Sequence, residues 1–180
     1  MKLLARVKDR WNALRGRKGE AITTHKQATR ALLRIRLELF LSAGGTLAVP
    51  RGADPDVTVI VITYNQPELV YGCVSSIAET LGSSALRVEV VILDNGSNAE
   101  TLQVLDRVRG ATVIRSETNL HFLLGVNRAA REARGRHLLL LNSDAQLLPG
   151  TLEAAVRTLE SAEDIGAVGA RIVLPDGTLQ

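Results

Sequence analysis

Apolar residues recur along this chain in two patterns, short extended runs and helical stripes. Val57–Ile62 and Val88–Leu93 are short, β-branched and almost wholly apolar, as strands buried on both faces are. Thr112–Arg115 reads as a short strand and His137–Leu141 as another buried one. Ala167–Val173 reads as a last strand, followed by the turn Pro175-Asp176-Gly177. Between the strands lie helical stripes. Pro67 sits where a first helical turn accepts proline, and a helix runs on to about Thr80. Ser97 or Asn98 is placed to cap a helix reaching Arg109, with Leu102, Leu105 and Val108 on one face. A further helix covers about Leu124–Arg134, and Gly135 is placed to end it. Thr151–Ser161 is amphipathic, with Leu152, Ala155, Val156 and Leu159 inward. Upstream, Ala21–Leu41 is helical by propensity, although Leu33, Ile35, Leu37, Leu39 and Leu41 also alternate with period two. Ser42–Asp56 carries Gly44, Gly45, Pro50, Gly52 and Pro55 and reads as a linker. These patterns divide the chain into an extension 1–41, a linker 42–56 and a main domain 57–180.

Strands alternating with helices predict an α/β fold: a mostly parallel sheet with helices on both faces. In such sheets ligands bind outside the carboxyl ends of the strands. The polar residues standing there are therefore the informative ones.

Composition narrows the possibilities. Hydrophobic residues make up 46% of the 180 positions and charged ones 23%, enough to build a core. Aromatic residues are only 3%, which argues against a base-stacking nucleic-acid platform. Cys73 is the single cysteine, so the chain has no internal disulfide and no cysteine-based zinc site. Among Val70, Val74 and Ile77 it reads as a buried apolar filler. No apolar run approaches the roughly 20 residues that span a bilayer, and Met1–Lys18 lacks the continuous apolar core of a secretory signal. A reducing cytoplasm is the expected compartment.

Charge is divided. Residues 1–36 carry eleven Lys or Arg against Asp9 and Glu20, a net +9, whereas the remainder is −6. The basic arm suits a solvated extension or, because Leu3, Leu4, Val7, Trp11 and Leu14 fall at helical spacing among Lys and Arg, an anionic membrane surface. Nucleic acid is not expected, since no recognition motif accompanies the charge.

Four polar clusters follow the predicted strands: Thr63, Tyr64 and Asn65; Asp94, Asn95, Gly96 and Ser97; Ser116, Glu117, Thr118 and Asn119; Asn142, Ser143 and Asp144. Any one of them also suits a turn or a helix cap. Together they occupy equivalent topological positions. No G-x-x-x-x-G-K-[ST] or G-x-G-x-x-G loop is present to cradle phosphate. A divalent cation is the natural substitute. Asp144 suits a hard ion such as Mg²⁺ or Mn²⁺, and Asn142 can add a neutral oxygen or orient a water. A turn or capping role before Pro149 is the alternative for Asp144. His137, opening a buried strand, reads as structural, and His121 lies in a loop near the crevice.

From about Asp56 to Gln180 the sequence resembles the family 2 glycosyltransferases of GT-A fold, including rhamnosyltransferase-like members. Val57-Thr58-Val59-Ile60-Val61-Ile62-Thr63-Tyr64-Asn65 looks like the family's opening strand and T-Y-N. Val91-Ile92-Leu93-Asp94-Asn95-Gly96-Ser97 looks like its V-V-D-N-G-S segment, and Asn119 to Asn127 like its N-x-G-F…N stretch. Leu140-Leu141-Asn142-Ser143-Asp144 resembles its D-x-D variant, often L-N-x-D, and Val168 to Gln180 the strand and P-D-G turn that follow. His121 stands where a Gly is usual, and Leu123-Leu124 where small residues are usual, which narrows or reshapes the donor-sugar side.

The resemblance implies a Rossmann-like parallel sheet and an inverting, metal-assisted transfer of a hexosyl or rhamnosyl group from a UDP- or dTDP-sugar. The implied acceptor is a glycan or lipid-linked molecule of cell-surface polysaccharide synthesis. It implies that Asp94 accepts from the N3–H of a uracil or thymine, that Thr63 and Tyr64 contact base and ribose with Asn65 and Asn95 beside them, that Asn119 and Asn127 line the donor-sugar side, and that Asp144 with Asn142 holds the metal. The family's general base lies in an acceptor-binding half beyond the point reached by Gln180, so the chain is expected to be the donor-binding half, truncated at its C-terminus. The alternative is a nucleotide-sugar-binding fragment without catalysis. A sugar nucleotidyltransferase is not expected, because Thr63-Tyr64-Asn65-Gln66-Pro67 lacks its Gly-rich basic loop. The expected location is cytoplasmic, peripheral to the inner membrane face through the basic arm.

Overall fold

β-branched side chains crowd residues 57–62, and there the chain runs extended at the centre of a parallel sheet. A computed structural model describes residues 25–82, 84–174 and 177–179. Helix α1 occupies 25–42, followed by strands β1 (Leu47–Ala48) and β2 (Val57–Thr63) and helix α2 (Pro67–Leu81). Next come β3 (Val88–Asp94), α3 (Ala99–Leu105), β4 (Val108–Arg109), β5 (Thr112–Arg115), α4 (His121–Ala130), β6 (His137–Asn142) and α5 (Thr151–Leu159). The main sheet has order β5-β3-β2-β6 with every pairing parallel, and β1 pairs with β4 in a second, two-stranded parallel sheet. The α/β reading therefore holds, with helices on both faces.

Period-two alternation sorts each central strand between two cores. Val57, Val59 and Val61 of β2 and Val88, Val90 and Ile92 of β3 join Val70, Val74 and Ile77 of α2 in the larger core, where Leu152 and Val156 of α5 also lie. Ile60, Val91 and Leu93 face the other way, against Ala129 of α4.

α1 belongs to the same packing. Leu37 is fully buried in the larger core, and the rings of Phe40 and Tyr71 stand 5.0 Å apart. Arg30, Arg34 and Arg36 form ion pairs with Glu68, Glu100 and Glu79 of the body. The boundary drawn on composition at 41/42 marks no break in packing, and the glycine-rich stretch after it contains β1. The period-two leucines are also explained: in a helix they split into an inward set, Leu33 and Leu37, and an outward set, Ile35 and Leu39. Residues 1–24, with the basic arm, lie outside the described residues.

Four expectations are corrected. The helix expected to reach Arg109 ends at Leu105, because Val108 reaches the core as part of β4, where it pairs with Leu47. The next helix begins at His121 rather than Leu124 and ends at Ala130. The Asn119 side chain accepts the His121 N–H at 2.8 Å and starts it early. β6 is not buried on both faces: it alternates, leaving Leu138 and Leu140 each 50% exposed, since α4 covers β2 and β3 but not this edge strand. Ala167–Val173 forms no strand. Val173 makes one isolated antiparallel bridge to Leu179, and no strand pairs with 167–172 among the described residues. Pro175 and Asp176 lie outside the described residues; Gly177 has φ +82° and donates to the Leu174 carbonyl at 2.8 Å.

Candidate functional site

Parallel register brings three strand ends to one rim. Thr63 is the register partner of Asp94, and Ile62, one residue earlier, is the partner of Asn142. The Asp94 carboxylate is buried (2% exposed) and accepts only long contacts: from the Thr63 hydroxyl at 3.4 Å and from the Ser97 N–H at 3.3–3.4 Å. A carboxylate offers about four lone-pair sites, so acceptor capacity remains for a ligand N–H.

The loops around Asp94 are tied by asparagines. Asn65 and Gln66 both lie in the left-handed region (φ 56° and 57°). For a side chain as long as Gln that conformation costs of order 1–3 kcal/mol unless its surroundings hold it. Asn65 is held by two bonds, its N–H donating to Ser97 Oγ at 2.9 Å and its Oδ1 accepting the Asn98 N–H at 2.8 Å, and the Gln66 carbonyl accepts the Leu69 and Val70 N–H groups at 3.0 and 3.1 Å. Asn98 in turn caps α3, accepting the Thr101 N–H at 3.0 Å. Asn95 works at the other side. Its Oδ1 accepts the Leu120 N–H at 3.1 Å, and its Nδ2 donates to the His121 carbonyl at 3.3 Å. Both ends of this buried amide are engaged with the entrance of α4.

The residues expected to contact a nucleotide thus separate. Thr63 and Asp94 stand at the rim, and Tyr64 exposes 48% of its surface. Asn65 and Asn95 use their side chains to build the loops. Asn119 does the same for α4. Asn127 is exposed and lies two positions from both buried residues of α4, Gly125 and Ala129, about 200° round the helix from each. It therefore points away from the sheet. Of the two residues placed to cap α3, Asn98 does so, and the Ser97 hydroxyl joins the loops after β2 and β3.

At the end of β6 the chain turns, the Ala145 N–H donating to the Asn142 carbonyl at 3.0 Å. Asn142 lies on the open face of the sheet with Leu138 and Leu140. Asp144 is exposed and makes no hydrogen bond or ion pair among the described residues. Its charge is felt nearby: burial first, and Asp144 second, push the Cys73 thiol up to about 12. Cys73 is the buried filler expected, its Sγ 3.6 Å from the Asn142 carbonyl. The Asp144 carboxylate and, two residues before it, the Asn142 amide offer oxygen donors only, a chemistry that fits a hard cation taking its remaining ligands from phosphate and water.

Two surface concavities lie elsewhere, at the amino ends of the strands. One is lined by Asp54, Asp56, Arg87, Arg134 and Arg136, the other by Arg136, His137 and Glu160. Their charges are mutually matched. Arg87 pairs with Asp56 at 2.7 Å and holds its carboxyl down at about 2. His137 and Arg136 both meet Glu160. Arg134 meets Glu89, which also accepts the Thr58 hydroxyl at 2.7 Å. Burial alone would raise Glu89, but these bonds outweigh it and hold the carboxyl below its ordinary value. This cluster braces the bottom of the sheet. The charged Glu89 inside an apolar strand was the sequence signal for it.

The chain resembles known proteins over this same region. It is 28% identical to the O-antigen biosynthesis protein RfbC of Myxococcus xanthus over 134 residues, covering 73% of this chain and 10% of that protein. It is 28% identical to the chondroitin synthase of Pasteurella multocida (strain Pm70) over 130 residues, covering 69% of this chain and 13% of that one. Among solved structures it resembles the mannosyltransferase PcManGT from Pyrobaculum calidifontis in complex with GDP-Man and Mn²⁺, at 25% identity and TM-score 0.53, covering 78% of this chain and 43% of that one. This chain therefore spans a small part of both sequence relatives and less than half of the structural one. The model of glycosyl transferase family 2 matches residues 58–180, the stretch that carries the rim described above, and the chain belongs to that family.

Proposed function

We propose that this chain forms the nucleotide-sugar side of a glycosyltransferase that moves a sugar from a nucleotide-diphosphate donor to a glycan or lipid-linked acceptor with inversion. The observation that carries this reading is the Thr63–Asp94 register pair, a buried carboxylate with spare acceptor capacity at the carboxyl rim. Asp94 accepts from the base, the exposed Tyr64 ring lies against base or ribose, and Asn65, Asn95 and Asn119 hold the loops in shape. Asp144 and Asn142 would hold a divalent cation, which when bound offsets the charge of the departing nucleoside diphosphate. Asn127 lies on the outer side of α4, away from the sheet. Acceptor binding and the general base are left to a further part of the family fold, since this chain spans less than half of its structural relative. The exposed Leu138 and Leu140 on the open face of β6 suit such a covering element. The basic arm, residues 1–18, meets an anionic membrane face, which places the protein at the cytoplasmic surface.

The test is calorimetric titration of UDP, dTDP and GDP into the purified chain, with and without Mn²⁺. GDP is included because the structural relative holds GDP-Man. Binding that strengthens with Mn²⁺, and is lost in Asp94→Ala and loses its metal dependence in Asp144→Ala, supports the reading. A folded chain that binds none of the three overturns it.

A further inference from the structure

Asp144 makes no hydrogen bond or ion pair among the described residues, so its place is set by the backbone that carries it. That backbone is held by α2. Cys73, Ser76 and Thr80 stand three and four residues apart on one face of the helix. The Cys73 Sγ lies 3.6 Å from the Asn142 carbonyl oxygen, which also accepts the Ala145 N–H at 3.0 Å. The buried Ser76 hydroxyl donates to the Cys73 carbonyl at 2.7 Å, which leaves its lone pairs free, and it accepts the Leu147 N–H at 2.9 Å. The Thr80 hydroxyl donates to the Leu147 carbonyl at 3.1 Å. Both polar backbone groups of Leu147 are therefore taken by two side chains of α2, while the Leu147 side chain is buried in the larger core. Gln146 lies over Gly72, its Nε2 3.4 Å from where a Cβ on that glycine would stand. The turn is thus anchored on both sides of Asp144, at Asn142 before it and Leu147 after it. The adjacent stripe of α2, Val70, Val74, Ile77 and Leu81, is apolar and lies in the core. Alanine at 76 would pack there equally well but would leave the buried Leu147 N–H without its partner.

We infer that Ser76 and Thr80 are positioning residues for the cation site: by clamping the backbone of Leu147 they set where the Asp144 carboxylate stands. The inference rests on the cation role proposed above for Asp144. A carboxylate on a floating turn must be ordered when the ion binds, and that entropy is subtracted from the affinity. On a pinned turn the ordering is completed by folding, and the carboxylate is held ready. Neither hydroxyl is offered to the ion, since both are engaged with Leu147.

The test compares Ser76→Ala and Thr80→Val with the conservative Thr80→Ser, all in the full chain. Glu89→Gln, at the opposite end of the sheet, serves as a variant that lowers stability without touching the turn. The probe is whichever of UDP, dTDP and GDP the wild-type chain binds most tightly, titrated with and without Mn²⁺. Amide hydrogen exchange at Leu147 reports the clamp with no metal present. Exchange at Leu147 is expected to be about tenfold faster in Ser76→Ala. The strengthening that Mn²⁺ gives to nucleotide binding is expected to fall about tenfold in Ser76→Ala and Thr80→Val, with metal-free affinity unchanged. Thr80→Ser is expected to restore it, and Glu89→Gln to melt lower while keeping the wild-type response to Mn²⁺. Thr80→Val is nearly isosteric at a half-buried position and decides the matter even if Ser76→Ala does not fold. Equal loss of affinity with and without Mn²⁺, or the same loss of response in Glu89→Gln, makes the hydroxyls merely structural and overturns the inference. Unchanged exchange at Leu147 overturns the clamp. A full response to Mn²⁺ in Ser76→Ala and Thr80→Val overturns the inference and leaves the role of Asp144 standing. A wild-type chain that binds no nucleotide, or binds it without response to Mn²⁺, overturns the cation reading and the inference with it.

Discussion

Thr63 and Asp94 end β2 and β3 as register partners, so a hydroxyl and a buried carboxylate stand 3.4 Å apart at the carboxyl rim of the sheet. Neighbouring parallel strands hold this pair more rigidly than any loop could. Its contacts within the protein are long, and a ligand N–H can supply a shorter one. Asp94→Asn is expected to weaken nucleotide binding about tenfold, roughly 1.4 kcal/mol, because a charged acceptor becomes a neutral one. Calorimetric affinities of the two proteins at one salt concentration check this, with thermal melts to show that both are folded.

At the opposite end of the same strands, Glu89 is held below its ordinary value by Thr58 and Arg134 despite its burial. A carboxyl whose folded pKa is depressed stabilises fully above its unfolded value, near 4.3, and loses that contribution as pH falls through the folded one. The melting temperature is therefore expected to drop as pH is lowered through the acid range. Glu89→Gln should be less stable at pH 7 by about 2 kcal/mol and flatter in its acid dependence. Melts from pH 7 to pH 3 compare the two.

Gly135 passes so close to β2 that an added Cβ would stand 2.4 Å from the Thr58 nitrogen and 2.6 Å from the Val57 carbonyl carbon. These are backbone atoms and cannot step aside. Gly135→Ala is expected to destabilise by about 3 kcal/mol, whereas Gly166→Ala, with nothing within 4 Å, should change stability little. Denaturant midpoints of the two variants give the comparison.

Burial and the nearby Asp144 push the Cys73 thiol up to about 12, which leaves almost no thiolate at neutral pH. Native protein is expected to be inert to a thiol reagent at pH 8 and to react fully in denaturant. Fast labelling of the native chain would contradict the packing of Cys73 against the end of β6.

The parts legible in the sequence share a cause. β2 and β3 are buried on both faces, so composition alone identifies them. The polar clusters after the strands were legible because topology places them there in any parallel sheet. β6 was misread because its leucines look alike, and which of them is covered depends on where α4 lies. α3 was drawn too long because Val108 suits a helix face as well as a strand, and the choice rests on pairing with Leu47, 61 residues earlier. The period-two leucines of α1 gave no hint of which set is buried. The roles of Asn65 and Asn95 were equally hidden: an asparagine that binds a ligand and one that ties two loops read the same.

By itself the sequence determined the central strands β2 and β3, the helices α2 and α5, the family motifs and the end of the sheet where polar chemistry gathers. Each of these follows from local periodicity and residue type. Tertiary structure alone decided the strand order, the bracing of Glu89 by Arg134 from 45 residues away, the use of two asparagines as loop ties and the exposure of one face of α1. Those depend on which distant surfaces meet, and burial and hydrogen bonding between distant segments leave no mark in the spacing of neighbouring residues.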